Sequence, residues 1–148
     1  MKLIFLIFIF FSNLALAQTT KIIDGDTIHI GKTKYRFHGI DAPEISQVCT
    51  KQNKEFRCGL YVKKKLIEKI NNQEVLCKKV TTDRYKRIVA ECFVNQESLS
   101  KYLVRNGLAF AYRKYSKQFI PDEDYAKQNS LGLWSMTFDY PWDYRRKK

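Results

Sequence analysis

A small Greek-key β-barrel with helices packed against it is the fold class that this sequence predicts. Three observations point there. Strand-like runs lead the chain and then interleave with helical runs without a repeating βαβ unit, which argues against a parallel sheet. Two of those runs, 74–80 (EVLCKKV) and 88–94 (IVAECFV), flank the turn-like TTDRYKR and read as a hairpin. The 148 residues suffice for one domain with a modest core.

The elements follow in order. Lys2 precedes the apolar run Leu3–Phe11, and Ala15-Leu16-Ala17 reads as a small-x-small cleavage site. Residues 1–17 are therefore expected to be a signal peptide, with the mature chain starting at Gln18 and secreted or kept in a periplasm. The apolar run is shorter than the about 20 residues of a membrane span. An uncleaved anchor is the alternative, and it alone would bring membrane contact. Residues 18–148 then make a single domain with a short aromatic and basic tail.

Lys21–Ile30 and Lys34–Ile40 read as strands, rich in Ile, Tyr and Phe and joined at Gly31-Lys32. Leu60–Ile70 sets Val62, Leu66, Ile67 and Ile70 at helical spacing, with Lys63, Lys64, Lys65 and Lys69 mostly on the other face. The 74–80/88–94 hairpin comes next. Ser98 is placed to cap a helix carrying Leu99, Tyr102 and Leu103, which stops at Gly107. Leu108–Tyr112 is strand-like. Pro121 opens a last helix ending near Gly132. That makes about five strands and three helices.

Lys and Arg number 27 against 15 Asp and Glu, a net charge of +12. Such a charge suits a polyanionic partner: nucleic acid, an acidic polysaccharide or an anionic membrane surface. The four cysteines, an even count behind a signal peptide, favour disulfides over metal thiolates, and the paired CxxC motifs of a zinc site are missing. Folding the hairpin about its centre puts Cys77 almost opposite Cys92, close enough to bridge. Cys49 and Cys58 would then close the loop CTKQNKEFRC.

Against this basic background, IIDGDTIHIGKTKYRFHGIDAPE concentrates Asp24, Asp26, Asp41 and Glu44. Asp24-Gly25-Asp26-Thr27 has the form of a hairpin turn, yet Asp26 runs straight into the strand residues Ile28 and Ile30. If the strands holding the two acidic clusters are neighbours, the carboxylates converge at one end of the sheet and repel each other. A hard divalent cation, Ca²⁺ or Mg²⁺, relieves that repulsion. His29 and His38 read as strand-surface residues rather than ligands. Arg36 is either a salt-bridge partner of the carboxylates or a phosphate clamp. With Arg87 from the other hairpin and Glu44 as a spare carboxylate, these are parts for phosphodiester hydrolysis. The contrasting reading is a surface acidic patch neutralised by lysines.

IDGDT, YRFHGIDAPE, TDRYKR, LVRNGLAFAY and GLW occur in the order and approximate spacing of the staphylococcal nuclease (thermonuclease) family, which the chain resembles from about Lys21 to Trp134. The cysteine pattern is similar to that of a secreted bacterial branch whose cysteines pair. The resemblance implies a five-stranded OB-type barrel with three helices, and a secreted, Ca²⁺-dependent nuclease of DNA and RNA that leaves 3′-phosphate ends. By motif it implies Asp26, Asp41 and the Ala42 carbonyl as calcium ligands, with Asp24 behind them. Arg36 and Arg87 match phosphate-binding arginines, and Glu44 matches the group that takes a proton from water or orients it. Arg84 and Tyr85 match nucleotide-contacting positions, and Tyr112 and Tyr115 resemble the tyrosines of the base pocket.

The sequence departs from the family at Lys86, where Gly is usual. A positive φ there would cost Lys roughly 1 kcal/mol, or shift the turn and Arg87 with it. The partners expected are single-stranded or frayed DNA and RNA, acting on a monomer without a stable protein partner. A non-catalytic OB-type module for nucleic acid or another polyanion is the second reading. It would use Lys63–Lys65, Lys78, Lys79, Arg84, Lys86, Arg113, Lys114 and Lys117 with interleaved tyrosines. For Lys63–Lys65 a solvated helix face is the plainer account.

Overall fold

The computed structural model describes residues 19–148; the segment read as a signal peptide lies outside them. The described chain forms β1 (Thr20–Ile22), β2 (Thr27–Ile30), β3 (Thr33–Phe37), β4 (Ile40–Asp41), β5 (Cys49–Lys51), β6 (Lys54–Phe56) and α1 (Cys58–Ile70). Then come β7 (Leu76–Thr82), β8 (Ile88–Val94), β9 (Glu97–Ser98), α2 (Leu99–Arg105), β10 (Phe110–Ala111) and α3 (Ile120–Gln128). A 3-10 turn (Gly132–Ser135) and α4 (Pro141–Arg146) follow.

The main sheet runs β1-β2-β3-β8-β7, with β9 added on β8. All its pairs are antiparallel except β3 with β8, where Arg36 lies beside Val89. Two small pairs, β4–β10 and β5–β6, stand outside it. The result is an α+β, OB-like fold, but the strands are more numerous than the five expected: the main sheet has six, and the strand expected over 108–112 appears as β10 outside it.

Lys21–Ile30 is not one strand. Ile22 pairs back onto Ile28, so Asp24-Gly25-Asp26 is the hairpin turn. The Thr27 carbonyl accepts the Ile23 and Asp24 N–H groups at 3.0 and 3.4 Å, and Asp24 Oδ1 accepts the Asp26 N–H at 3.0 Å. A short carboxylate that bonds its own backbone two residues on competes with the ladder, which is why the apolar pattern misleads here.

α1 buries Val62, Leu66 and Ile70 against the sheet, roughly 1.5–3 kcal/mol each in removal from water. Ile67 belongs to the outer face, 47% exposed. The α1 lysines are partly paired, Lys64 and Lys65 with Glu68 and Lys69 with Glu97, as a solvated helix face would be. Ser98 caps α2 as expected, its Oγ accepting the Lys101 N–H at 3.0 Å. The helix opened by Pro121 is not the last. Pro141 starts a fourth, in the tail that reads from sequence as merely aromatic and basic, because six residues are too few to show a period.

Cys49 is bonded to Cys58 and Cys77 to Cys92. The second bond sits at the expected opposite register in the β7–β8 hairpin. In the turn of that hairpin Lys86 has φ +61°, closed by Lys86 N–H to the Asp83 carbonyl at 3.0 Å and Asp83 N–H to the Arg87 carbonyl at 3.0 Å. An L side chain is strained in this region. Lys86→Gly is therefore expected to raise the stability by about 1 kcal/mol in urea unfolding. A loss of stability would show that the Lys86 side chain contributes a contact that outweighs the backbone strain.

Candidate active site

The β2–β3 register brings the two acidic clusters together. Thr27 lies opposite Arg36, and Phe37 N–H donates to the Asp26 carbonyl at 2.8 Å. Asp41 follows in β4, held by pairing with Phe110 of β10. Asp26 is 6% exposed and Asp41 fully buried. Arg36 joins them: Nη1 lies 2.5 Å from Asp26 Oδ2, an ion contact without hydrogen-bond alignment, and Nη2 donates to Asp41 Oδ1 at 2.8 Å. Ala42 N–H donates to Asp26 Oδ2 at 2.7 Å, tying the second cluster to the first.

Two glycines let these loops close. A Cβ on Gly25 would sit 2.6 Å from Val62 Cγ1 and 2.7 Å from the Ala42 Cβ. A Cβ on Gly59 would sit 1.8 Å from the Glu44 carbonyl oxygen. The Asp24–Asp26 turn and the Glu44 loop thus rest directly on α1 and its first turn. Gln47, 1% exposed, completes the support. Its Oε1 accepts the Glu44 N–H at 3.2 Å, its N–H donates to the Glu44 carbonyl at 2.8 Å, and its Nε2 donates to the Asp139 carbonyl at 2.7 Å. Sequence reasoning missed Gln47, since a lone amide in a loop carries no pattern.

It also missed Arg145. From α4 its Nη2 donates to Asp41 Oδ2 at 2.7 Å and its Nη1 to Asp41 Oδ1 at 3.2 Å and to Glu44 Oε1 at 2.8 Å. Pro141 at the first helical position was the available signal that the tail is helical. Trp142 seats the helix, stacked between Tyr140 (centroids 4.6 Å) and Tyr112 (5.4 Å).

The other expected residues lie around this core. Tyr112 and Tyr115 meet edge to face at 4.9 Å, and Tyr115 is 64% exposed. Tyr112, Lys114, Trp142, Arg145 and Arg146 line an open surface depression of about 450 Å³. On the β7–β8 turn, Arg84 donates to the Tyr85 hydroxyl at 2.7 Å. Arg87 Nε donates to Asp83 Oδ2 at 2.7 Å, and the Arg87 guanidinium lies over the Tyr85 ring at 5.5 Å. Among the described residues the side-chain contacts of Arg87 stay within its own turn, whereas those of Arg36 reach the carboxylates.

The electrostatics show a crowded anionic site. Burial, then the neighbouring Asp26 charge, pushes the Asp24 carboxyl up to about 6. Burial likewise pushes Asp41 up, partly offset by its bonds from Arg145. Burial works against the Arg36 charge, but Asp26, Asp41 and Asp24 outweigh it and raise its pKa. Among the described residues no three His, Cys, Asp or Glu side chains form a ready-made cation cage, and the guanidinium groups stand between the carboxylates. The donors are nevertheless all hard oxygens, and burial disfavours the charged forms of Asp24 and Asp41. That chemistry fits a hard divalent cation.

A raised folded-state pKa makes ionised Asp24 destabilising in the cation-free protein. The penalty is absent below about pH 4, grows between about 4 and 6, and is complete at pH 7. Asp24→Asn, which keeps the acceptor for the Asp26 N–H, is expected to be more stable than the parent by about 1–3 kcal/mol at pH 7. In thermal melts with chelator the gap should close as the pH falls towards 4. A gap independent of pH would remove Asp24 from the repulsive cluster.

Residues 34–136 match the family model described as staphylococcal nuclease homologue. The chain is 32% identical over 120 residues to an uncharacterized 38.1 kDa protein of Capnoides sempervirens, covering 79% of this chain and 33% of that protein. It is 29% identical over 125 residues to an uncharacterized endonuclease of Haemophilus influenzae, covering 80% and 65%. It is 31% identical over 123 residues to the staphylococcal-like nuclease CAN1 of Arabidopsis thaliana, covering 79% and 34%. The chain thus spans from a third to just under two thirds of these relatives. A family match over most of the OB-like fold, on the strands that bring Arg36 to Asp41, places the chain in the staphylococcal nuclease family.

Proposed function

We propose that this protein is an exported, Ca²⁺-dependent nuclease that hydrolyses phosphodiester bonds of DNA and RNA, leaving 3′-phosphate and 5′-hydroxyl ends. One observation carries the reading: Arg36 joins two buried carboxylates, Asp26 and Asp41, while Glu44 shares the Arg145 Nη1 donor with Asp41. The Haemophilus and Arabidopsis relatives bear the names endonuclease and nuclease, which supports the same chemistry.

In this reading Asp26, Asp41 and the Ala42 carbonyl hold the calcium, with Asp24 behind them. When bound, calcium supplies positive charge beside the phosphate oxygens. Arg36 and Arg87 bind those oxygens and stabilise the charge of the pentacoordinate transition state. Glu44 accepts a proton from the attacking water or orients it. Water oxygen bonds to phosphorus, the bond from phosphorus to the 5′-oxygen breaks, and that oxygen leaves with the bonding pair and takes up a proton from solvent to become the hydroxyl. Arg84, Tyr85, Tyr112 and Tyr115 contact the nucleotides, and single-stranded or frayed substrates fit exposed aromatic rings best. Residues 1–17 act as the export signal, and the remaining chain works as a monomeric domain.

Digestion of single-stranded DNA by the chain starting at Gln18, with Ca²⁺ and then with a calcium-selective chelator, tests this. Cleavage is expected in Ca²⁺ alone. A second reading, a non-catalytic polyanion-binding module, is favoured by the engagement of Arg87 with Asp83. It predicts salt-sensitive binding without cleavage in either condition.

A further inference from the structure

α4 lies beyond the residues that match the family model, yet it reaches the centre of the site. Arg145 spans both oxygens of Asp41 and one of Glu44. Arg36 also holds Asp41 Oδ1. Both oxygens of a fully buried carboxylate are thus committed to guanidinium donors. A cation taking Asp41 Oδ2 must first displace Arg145, because two positive groups repel at that distance and the oxygen faces Arg145.

The two arginines are not equally replaceable. Arg36 comes from β3, five residues before Asp41, and its side chain is 15% exposed. Arg145 comes from a six-residue terminal helix, and its side chain is 40% exposed. Its helix is seated by the Trp142 stack, and its side chain lies nearer to solvent than that of Arg36. Arg146, next in sequence and of equal charge, pairs with Asp143.

We propose that Arg145 is a tethered counter-ion that competes with calcium for Asp41 and Glu44, so that the C-terminal helix sets the calcium concentration at which the site fills. This rests on the reading of Asp26 and Asp41 as cation ligands. Without calcium the guanidinium keeps Asp41 and Glu44 neutralised and in place. With calcium it is released towards the open surface depression that it already lines with Tyr112 and Lys114.

Calorimetric titration of Ca²⁺, at fixed ionic strength and without substrate, tests it on the chain starting at Gln18 and on its Arg145→Gln and Arg146→Gln variants. A competitor present nine-tenths of the time weakens apparent affinity about ten-fold. Arg145→Gln is therefore expected to bind Ca²⁺ about ten-fold more tightly, and Arg146→Gln as the parent does. Equal affinity in parent and Arg145→Gln overturns the proposal and leaves the calcium site standing. Weaker binding in Arg145→Gln overturns it too, making Arg145 a support for Asp41. Equal tightening in both variants reduces it to a general charge effect and overturns it. No Ca²⁺ binding by any of the three overturns both this proposal and the calcium reading. A second measurement needs no variant: the Arg145 Nε–Hε NMR signal is expected to move towards that of free arginine as Ca²⁺ is added. A fixed signal at saturating Ca²⁺ overturns the proposal.

Discussion

Glu44→Gln is expected to lower turnover on single-stranded DNA by a factor on the order of 10² or more, the usual loss when a general base is removed. Gln keeps the size and the hydrogen-bonding reach of Glu but cannot take a proton. The fold should tolerate the change, because the loop is held through backbone groups. Gln47 binds the Glu44 N–H and carbonyl, and the Glu44 carbonyl packs on Gly59. The side chain itself is 38% exposed and touches Arg145. Calcium affinity should stay the same or tighten slightly, since one anchor of Arg145 is weakened. Turnover and calcium titration on the same preparation separate the roles. A parallel fall in both would make Glu44 a cation ligand. Unchanged turnover would take it out of the chemistry.

Arg36→Ala is the second large effect, and it falls first on stability. Removing one partner of a buried ion pair typically costs 3–5 kcal/mol, because the remaining charge keeps its desolvation penalty. Asp26 loses its arginine partner, Asp41 is left with Arg145 alone, and Asp24 already sits at about 6 from burial and repulsion. Urea unfolding in chelator is expected to show a loss in that range. Saturating Ca²⁺ should recover part of it, because the cation takes over the neutralising role. Equal destabilisation with and without Ca²⁺ would mean that Asp26 and Asp41 do not share a cation site. Turnover should fall by roughly 10²–10³, as when one transition-state donor is removed, and calcium should not rescue that loss.

The carboxylates were legible in the sequence because local chemistry leaves local marks. Four acidic residues within one stretch of a basic chain, next to strand-like runs, sufficed to expect a cation and a phosphate in one place. The Cys77–Cys92 pair followed from hairpin symmetry, since strand partners are fixed by counting from the turn. The strain at Lys86 was foreseen from one departure in a turn, because φ preference belongs to a single residue. The split of Lys21–Ile30 into β1 and β2 was misread, although its mark was present. A side-chain bond from Asp24 to the Asp26 N–H outweighed an apolar pattern that suits a strand equally well.

What the chain order could not express is proximity across it. Asp41 and Arg145 are 104 positions apart, and no periodicity links them. Their meeting depends on β10 pairing with β4, on Tyr112 following β10, and on Trp142 stacking against Tyr112. Gln47 is decided in the same way, by a buried amide that meets Asp139 from the far end of the chain. The sequence by itself determined the residue types of the site, the hairpin that carries the disulfide and the class of fold. Tertiary packing alone decided that Arg145 joins Arg36 at Asp41. Long-range contacts are selected by the shape and burial of whole elements, and those are properties of the assembled core.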